Sequence, residues 1–383
     1  MAPLPLLFLS AVLHAYIGVR LIPAWGAPAW LVAAASGLLL ASALLMPAGL
    51  MARRLRSRRL AQALSWSGLL CLGLFSSLFV LTLLRDIGLL AATLAGLAWP
   101  GGLPLAALTR WSARAAAAGA VLVTLWGLLN ARRTAAVVTV DVPIRGLPAA
   151  LSGFTIAQIS DVHVGPTIRR NYLEAIVQAV NRLDADMVAV TGDLVDGGVA
   201  ELRAHIAPLS GLRSRHGTYF VTGNHEYYSG AAAWVHELRR LGLRVLMNEH
   251  VVLRHGGAAL LVAGVTDYGA HHFDPAQRSD PAAALAGAPP EARVRLLLAH
   301  QPRSADAAQR AGFDLQISGH THGGQFWPWN FFVRLQQPFT AGLHRLRDLW
   351  VYTSRGTGYW GPPKRVGAPS EITRLRLVPE PAG

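Results

Sequence analysis

The chain has 383 residues, of which 52% are hydrophobic and only 15% charged, with a formal net charge of +14 and one cysteine. Such a composition is too apolar for an ordinary soluble domain and fits an integral membrane protein with a soluble part. A lone Cys71, set in an apolar run, excludes an intramolecular disulfide.

The positive charge does not mark a nucleic-acid binder. Lys364 is the only lysine, and the arginines are spread along the chain apart from one run beside the apolar N-terminal segments. This charge is therefore assigned to solvent and lipid headgroups rather than to a phosphate backbone, and no nucleic-acid partner is expected.

Four apolar stretches, near Leu4 to Leu21, Ala29 to Leu50, Ala63 to Leu84 and Trp111 to Leu129, approach the roughly 20 residues that a bilayer crossing needs. Residues 1–135 are thus expected to form an all-α transmembrane anchor of about four spans. The first stretch lacks a basic flank and a small-residue cleavage site, and reads as a retained helix. Arg53, Arg54, Arg56, Arg58 and Arg59 follow the second span, and Arg132 and Arg133 follow the fourth. The positive-inside rule then places the remainder of the chain on the cytoplasmic side of a multi-pass membrane protein. Ile87 to Leu108, interrupted by Pro100, Gly101 and Gly102, is expected to be interfacial or re-entrant; as a fifth crossing it would reverse that orientation.

Residues 136–150 read as a linker, residues 151–377 as one domain and residues 378–383 as a tail. Within the domain, Phe154 to Ile159, Met187 to Val190, Thr218 to Val221, Val294 to Ala299 and Leu315 to Ile317 have the short apolar character of buried strands. Asn171 to Leu183 and Ala231 to Leu241 have helical amphipathic spacing, and Asp280 to Pro290 reads as a surface loop. The alternation predicts an α/β class.

Polar residues cluster just after those strands. Asp161 and His163 follow the first, Gly192 and Asp193 the second, and Gly223, Asn224, His225 and Glu226 the third. His300 ends the fourth, and Gly319, His320, Thr321 and His322 follow the fifth. Open α/β sheets place their sites at that carboxyl edge. Imidazole and carboxylate together suit divalent transition metals, and a carboxylate can bridge two of them. A pair of ions can share a hydroxide nucleophile and stabilise an in-line displacement at phosphorus. No serine elbow or P-loop offers a competing chemistry.

In order and spacing these blocks resemble those of the calcineurin-like metallophosphoesterases. The longer stretches Thr191 to Gly197, Gly223 to Tyr228, Ala299 to Pro302 and Gly319 to Gln325, with Ser354 to Gly356 and Pro369 to Ile372, are similar to the bacterial YkuE/YaeI type. The resemblance implies an α/β fold of two packed β-sheets flanked by helices. It implies one metal held by Asp161, His163, Asp193 and His322, and a second held by Asp193, Asn224, His300 and His320. His225 would act beside the phosphate as electrostatic stabiliser or as acid to the leaving oxygen. Glu226 would either orient His225 or be plain surface charge.

The expected cofactors are two divalent ions drawn from Mn, Zn, Fe or Ni, and the expected partners are a phosphate-ester substrate and membrane lipids. The reaction would be hydrolysis of a phosphomonoester, phosphodiester or pyrophosphate bond. The anchor favours a phospholipid or nucleotide-lipid substrate, by analogy with an anchored UDP-diacylglucosamine pyrophosphatase. A non-catalytic sensor or scaffold on the same fold is the rival reading, and no oligomeric state is implied. Gly323 and Gly324 read either as a turn or as backbone open to an anion. The aromatics Phe326, Trp327, Trp329, Phe331 and Phe332 read as core, or as an apolar wall or membrane-interface segment. Asp267 and Tyr268 are lesser candidates for substrate contact, and the eight remaining histidines of this domain (His205, His216, His236, His250, His255, His271, His272 and His344) read as surface or core.

Overall fold

A computed structural model describes residues 3–52, 55–98 and 102–381. The chain divides into two units: Met1–Leu129 with Gly361–Lys364, and Asn130–Trp360 with Arg365–Gly383.

The first unit is helical: α1 (Pro3–Leu21), α2 (Ala29–Met51), α3 (Arg58–Ala98) and α4 (Leu105–Arg132), whose final turn passes into the second unit. All four are long and apolar enough to cross a membrane. Their surfaces are apolar around most of the circumference, as expected where the solvent is lipid. The segment expected to be interfacial is divided differently. Ile87–Ala98 is the end of a continuous 41-residue α3, and Leu105–Leu108 opens α4; Pro100 and Gly101, like Arg53 and Arg54, lie outside the described residues. Nothing between Leu84 and Ala98 breaks a helix. The charged pair Arg85 and Asp86 is accommodated because Asp86 accepts from Tyr16 Oη and Arg20 Nε, each at 2.8 Å, while Arg85 donates to Ser112 Oγ at 3.1 Å. At 1.5 Å per residue α3 reaches roughly 60 Å, about twice a hydrocarbon core.

The second unit is an α/β sandwich. One sheet runs β1-β12-β2-β3-β4-β5, and the other β10-β11-β9-β8-β7-β6. The first comprises β1 (Ala136–Ile144), β2 (Thr155–Ile159), β3 (Met187–Val190), β4 (Thr218–Phe220), β5 (Arg244–Val245) and β12 (Glu371–Pro379). The second comprises β6 (Glu249–His255), β7 (Ala258–Gly264), β8 (Val294–Leu298), β9 (Leu315–Ser318), β10 (Gly342–Leu346) and β11 (Leu349–Thr353). Parallel pairing joins β2 to β5 in order, and likewise β7, β8, β9 and β11, so these strands share one carboxyl edge in each sheet.

Side chains from both inner faces, among them Phe154, Ile156, Met187, Leu260, Val262, Leu296, Leu298, Ile317 and Leu375, make the central core. On the outside of the first sheet pack α5 (Arg170–Asn181), α6 (Val199–Ile206) and α8 (Ala231–Arg240), with Leu173, Ile176, Leu202, Trp234 and Leu238 facing inward, and the short α7 (Asn224–Tyr228) follows β4. The outer face of the second carries α9 (Pro281–Ala284) and α10 (Ala305–Ala311), and α11 (Asn330–Val333) follows β9. Two expectations change here. Residues 136–150, read as a linker, contain β1, which pairs in parallel with β12 from Ala136↔Glu371 to Ile144↔Pro379. The stretch Asp280 to Pro290 is not wholly loop: Asp280 Oδ1 caps the short α9 by accepting from the N–H groups of Ala282 and Ala283.

Candidate metal centre

Each candidate ligand sits on a turn leaving the carboxyl end of a strand, and the turns are backbone-strained. Asp161, His163, Asp193, His320 and His322, five of the seven candidate ligands, have φ between 51° and 71°. The left-handed region costs a non-glycine residue about 1 kcal/mol or more, and such strain concentrates where a site dictates side-chain direction. The turns are locked by one another. Asp161 accepts from the His320 N–H at 2.9 and 3.0 Å through its two oxygens, and Asp193 Oδ1 accepts from the His225 N–H at 2.9 Å.

The result is one convergent cluster. Asp161, His163 and His322 offer donor atoms all within 4.8 Å of one another; so do Asp193, His300 and His320, and so do His163, Asp193 and His225. His163 Nε2 and His322 Nε2 are 3.0 Å apart, His320 Nδ1 and His300 Nε2 3.2 Å, and His300 Nε2 lies 3.2 Å from Asp193 Oδ2. Among the described residues the buried Asn224 Oδ1 has no hydrogen-bond partner, an orphaned acceptor of the kind a cation satisfies.

Outer contacts aim these donors. His300 Nδ1 donates to the Thr191 carbonyl at 2.7 Å, and His163 Nδ1 donates to Asp196 Oδ1 at 3.2 Å, so that Nε2 of both rings faces the cluster. Burial and the neighbouring His300 lower His320 to about 3, and burial with His163 holds His322 well below the ordinary imidazole value, so both remain neutral donors. Burial opposes charge on Asp193, yet His300 beside it keeps that carboxylate ionised. The residues present therefore fit divalent cations, by donor type and by the unsatisfied Asn224 oxygen.

His225 lies at the rim, half-buried, its Nε2 3.9 Å from Asp193 Oδ2 and its Nδ1 2.5 Å from Asp196 Oδ1. Burial disfavours its protonation, but the hydrogen bond to Asp196 and the Asp193 charge prevail and raise it above the ordinary imidazole value. Asp196 is thus shared by His163 and His225, and the sequence reading missed this role. The available signal was a second acid three positions after Asp193, pointing the same way from the same turn. Asp196→Asn is expected to lower activity about 10- to 100-fold, the usual range for a residue that orients a metal-ligating histidine. The drop should accompany weakened metal retention in elemental analysis.

Glu226 neither orients the His225 ring nor lies on the surface. It is fully buried, and its carboxylate accepts from the N–H groups of Asp193 at 2.9 Å, Leu194 at 2.8 Å and Gly223 at 2.7 Å. Asp267 is also buried, held by Gln301 Nε2 at 2.9 Å and by the Gly269 N–H at 2.6 Å, while Tyr268 is partly exposed beneath the Arg303 guanidinium. Gly323 and Gly324 form a turn: their N–H groups are used by Thr321 Oγ1 at 3.3 Å and Thr321 O at 2.8 Å, leaving neither for an anion. Phe326 is buried, whereas Trp327, Trp329, Phe331 and Phe332 are exposed. None of the eight histidines read as surface or core enters a metal-holding group among the described residues.

Gly319 permits the closest approach. A Cβ there would collide with Ser160 Oγ and Asp161 Oδ2. Gly319→Ala is expected to push Asp161 aside and cost about a hundredfold in turnover, the scale of an ångström of misplacement. An unchanged rate would mean that Asp161 has no role in the reaction.

A buried set of hard and imidazole donors gathered at the strand ends of such a sandwich suits metal-dependent hydrolysis. Residues 154–324 match the family model described as calcineurin-like phosphoesterase. The chain is 41% identical over 302 residues to a transmembrane protein with metallophosphoesterase domain from Bos taurus, covering 74% of this chain and 68% of that one. It is 39% identical over 264 residues to the protein of the same description from Danio rerio, covering 67% and 60%. An uncharacterized metallophosphoesterase of Helicobacter pylori is 40% identical over 230 residues, covering 59% and 60%. The chain belongs to the calcineurin-like phosphoesterases, a family of metal-dependent phosphoesterases. It spans about six tenths of the zebrafish and Helicobacter relatives. The four apolar helices and the relatives named as transmembrane proteins point to membrane association.

Proposed function

We propose that the protein is a membrane-anchored phosphoesterase that hydrolyses a phosphomonoester, phosphodiester or pyrophosphate bond with two divalent ions. One ion would be held by Asp161, His163, Asp193 and His322, the other by Asp193, Asn224, His300 and His320. The observation that carries this reading is the convergence of Asp161, His163, Asp193, His300, His320 and His322 from four separate strand ends into groups whose donor atoms lie within 4.8 Å, linked through a third group of His163, Asp193 and His225 that brings in a fifth strand end. Bound there, divalent ions would supply Lewis acidity toward a phosphoryl oxygen and lower the pKa of water.

The chain's own residues do the rest. His225, raised toward protonation and held at Nδ1 by Asp196, presents Nε2 at the rim, where it stabilises phosphate charge or protonates the leaving oxygen. Asp196 and the Thr191 carbonyl fix ring orientation, and the Glu226 carboxylate holds the turns that carry Asp193 and Asn224.

Four helices of spanning length support a substrate that lives in the membrane, a phospholipid or nucleotide-lipid, because anchoring raises its local concentration. Arginines after the second and fourth apolar helices favour a cytoplasmic catalytic unit in a bacterial inner membrane. The motif stretches from Thr191 to Gly197 and Gly319 to Gln325 favour the YkuE/YaeI type within the family.

The test is elemental analysis of purified full-length protein, followed by assay with Mn on bis(p-nitrophenyl) phosphate and then on lipid phosphates, nucleotide-lipids and free nucleotides. Turnover with bound metal is expected, fastest on the lipid-linked compounds. Finding neither metal nor turnover would support a scaffold instead.

A further inference from the structure

We propose that residues 327–335 form an interfacial foot by which the catalytic unit rests on the phospholipid bilayer, with Phe331, Phe332 and Leu335 entering the headgroup and upper acyl zone. The foot begins three residues after the His322 turn. Trp327 is 46% exposed, Phe331 64%, Phe332 55% and Leu335 81%, with Arg334 exposed among them. A soluble surface rarely gathers large apolar side chains so densely, and such a patch marks a contact site. Aromatic rings with an arginine at their margin are the composition of membrane-interface anchors, where rings sit at headgroup depth and guanidinium meets lipid phosphate.

Chain connectivity selects the bilayer as occupant. No linker separates the last apolar helix from the catalytic unit, which begins at Asn130 within α4. The chain also leaves the catalytic unit after Trp360, contributes Gly361–Lys364 to the helical unit, and re-enters at Arg365. The base of the foot is hydrogen-bonded to both of those crossing points. Gln325 Nε2 donates to the Trp360 carbonyl and Gln325 Oε1 accepts from the Trp360 N–H, each at 2.8 Å, while the Trp327 N–H donates to the Val366 carbonyl at 3.1 Å. The exposed apolar side chains are thereby tied to the residues at which the chain leaves and re-enters the catalytic unit.

The proposal rests on the reading that α1–α4 span a bilayer, and the experiment separates the two. Full-length protein carrying Cys71→Ser, which removes the only cysteine, is given one nitroxide at Phe331→Cys and reconstituted in phosphatidylcholine and phosphatidylglycerol vesicles. Leu38→Cys, 73% exposed on α2, reports the span, and Arg213→Cys, on an exposed loop, reports water. Phe332→Cys serves as a second probe of the foot, and no reading depends on turnover. Collisions with oxygen should dominate over a water-soluble nickel chelate at positions 331, 332 and 38, and the order should reverse at 213. Nickel-dominated collision at 331 and 332 with oxygen-dominated collision at 38 would overturn the foot and leave the anchor standing. Exclusion of both quenchers at 331 and 332 would show a protein partner on this surface and overturn it as well. Nickel-dominated collision at 38 would remove the anchor and the foot together.

Discussion

Asp193→Asn is expected to lower kcat/KM by about a thousandfold and to abolish stabilisation by Mn, while leaving the chelator-treated protein close to wild type in Tm. The side chain is isosteric, so the oxygen that accepts from the His225 N–H at 2.9 Å survives. What disappears is the negative charge that Oδ2 places 3.2 Å from His300 Nε2 and 3.8 Å from His163 Nε2. Asp193 is the carboxylate shared by two donor groups, so both proposed ion positions weaken together. The Lewis acidity lost amounts to several kcal/mol, and each ~1.4 kcal/mol is tenfold in rate. The thermal readout isolates metal from fold: a ligand at a hundred times its Kd stabilises by about 2.7 kcal/mol, and that Mn-dependent increment should vanish. Wild-type activity and undiminished metal content in the variant would show that the centre has been misassigned.

Glu226→Ala should be the most destabilising of the substitutions at the centre. Its carboxylate is buried between two turns, and its removal strands the N–H groups of Asp193, Leu194 and Gly223 away from bulk solvent. Each buried unsatisfied donor costs about 1–3 kcal/mol, so a loss of about 3 kcal/mol or more is expected. In a domain of this size that corresponds to roughly 6–12 °C in Tm. Glu226→Gln keeps one acceptor oxygen but sets an amide N–H₂ against backbone donors, and should fall between the two. Activity should drop in step, because Asp193 and Asn224 ride on the turns that Glu226 joins. A melting curve for Glu226→Ala that overlays wild type would refute this account.

The distinction between those two acids marks where linear reading stopped. Asp193 was legible because it follows an apolar strand and stands in a recognisable block. Glu226, one residue after His225, read as that residue's helper or as surface charge, since adjacency in sequence carries no information on burial. Asp196 was passed over for a related reason. Its partners His163 and His225 lie 33 and 29 positions away, and only folding shows that one carboxylate serves both rings.

The strands fared similarly. Within the parallel core β2, β3, β4, β8 and β9 announced themselves as short apolar runs, with β3 matching its expected bounds, because burial on both faces leaves a continuous hydrophobic signature, whereas the two-residue β5 and the later β11 went unread. The edge strand β1 alternates exposed and buried positions and finds its partner β12 more than two hundred residues later, so it passed for a linker. In the helical unit, apolarity marked where spans lie but not where α3 ends. The Arg85 and Asp86 pair interrupts hydropathy without interrupting the helix, since Tyr16, Arg20 and Ser112 satisfy it from other helices.

By itself the sequence determined that this is an apolar helical segment followed by an α/β phosphoesterase domain, and which histidines and acids stand at its strand ends. Both properties are written in local pattern, as hydrophobic periodicity and as ligand-bearing turns after strands. Tertiary structure decided which acid orients which histidine, which carboxylate is structural, and which aromatics are left exposed beside the centre. Those outcomes depend on burial and on partners distant in the chain, and an interaction between remote residues leaves no imprint on the spacing of either one.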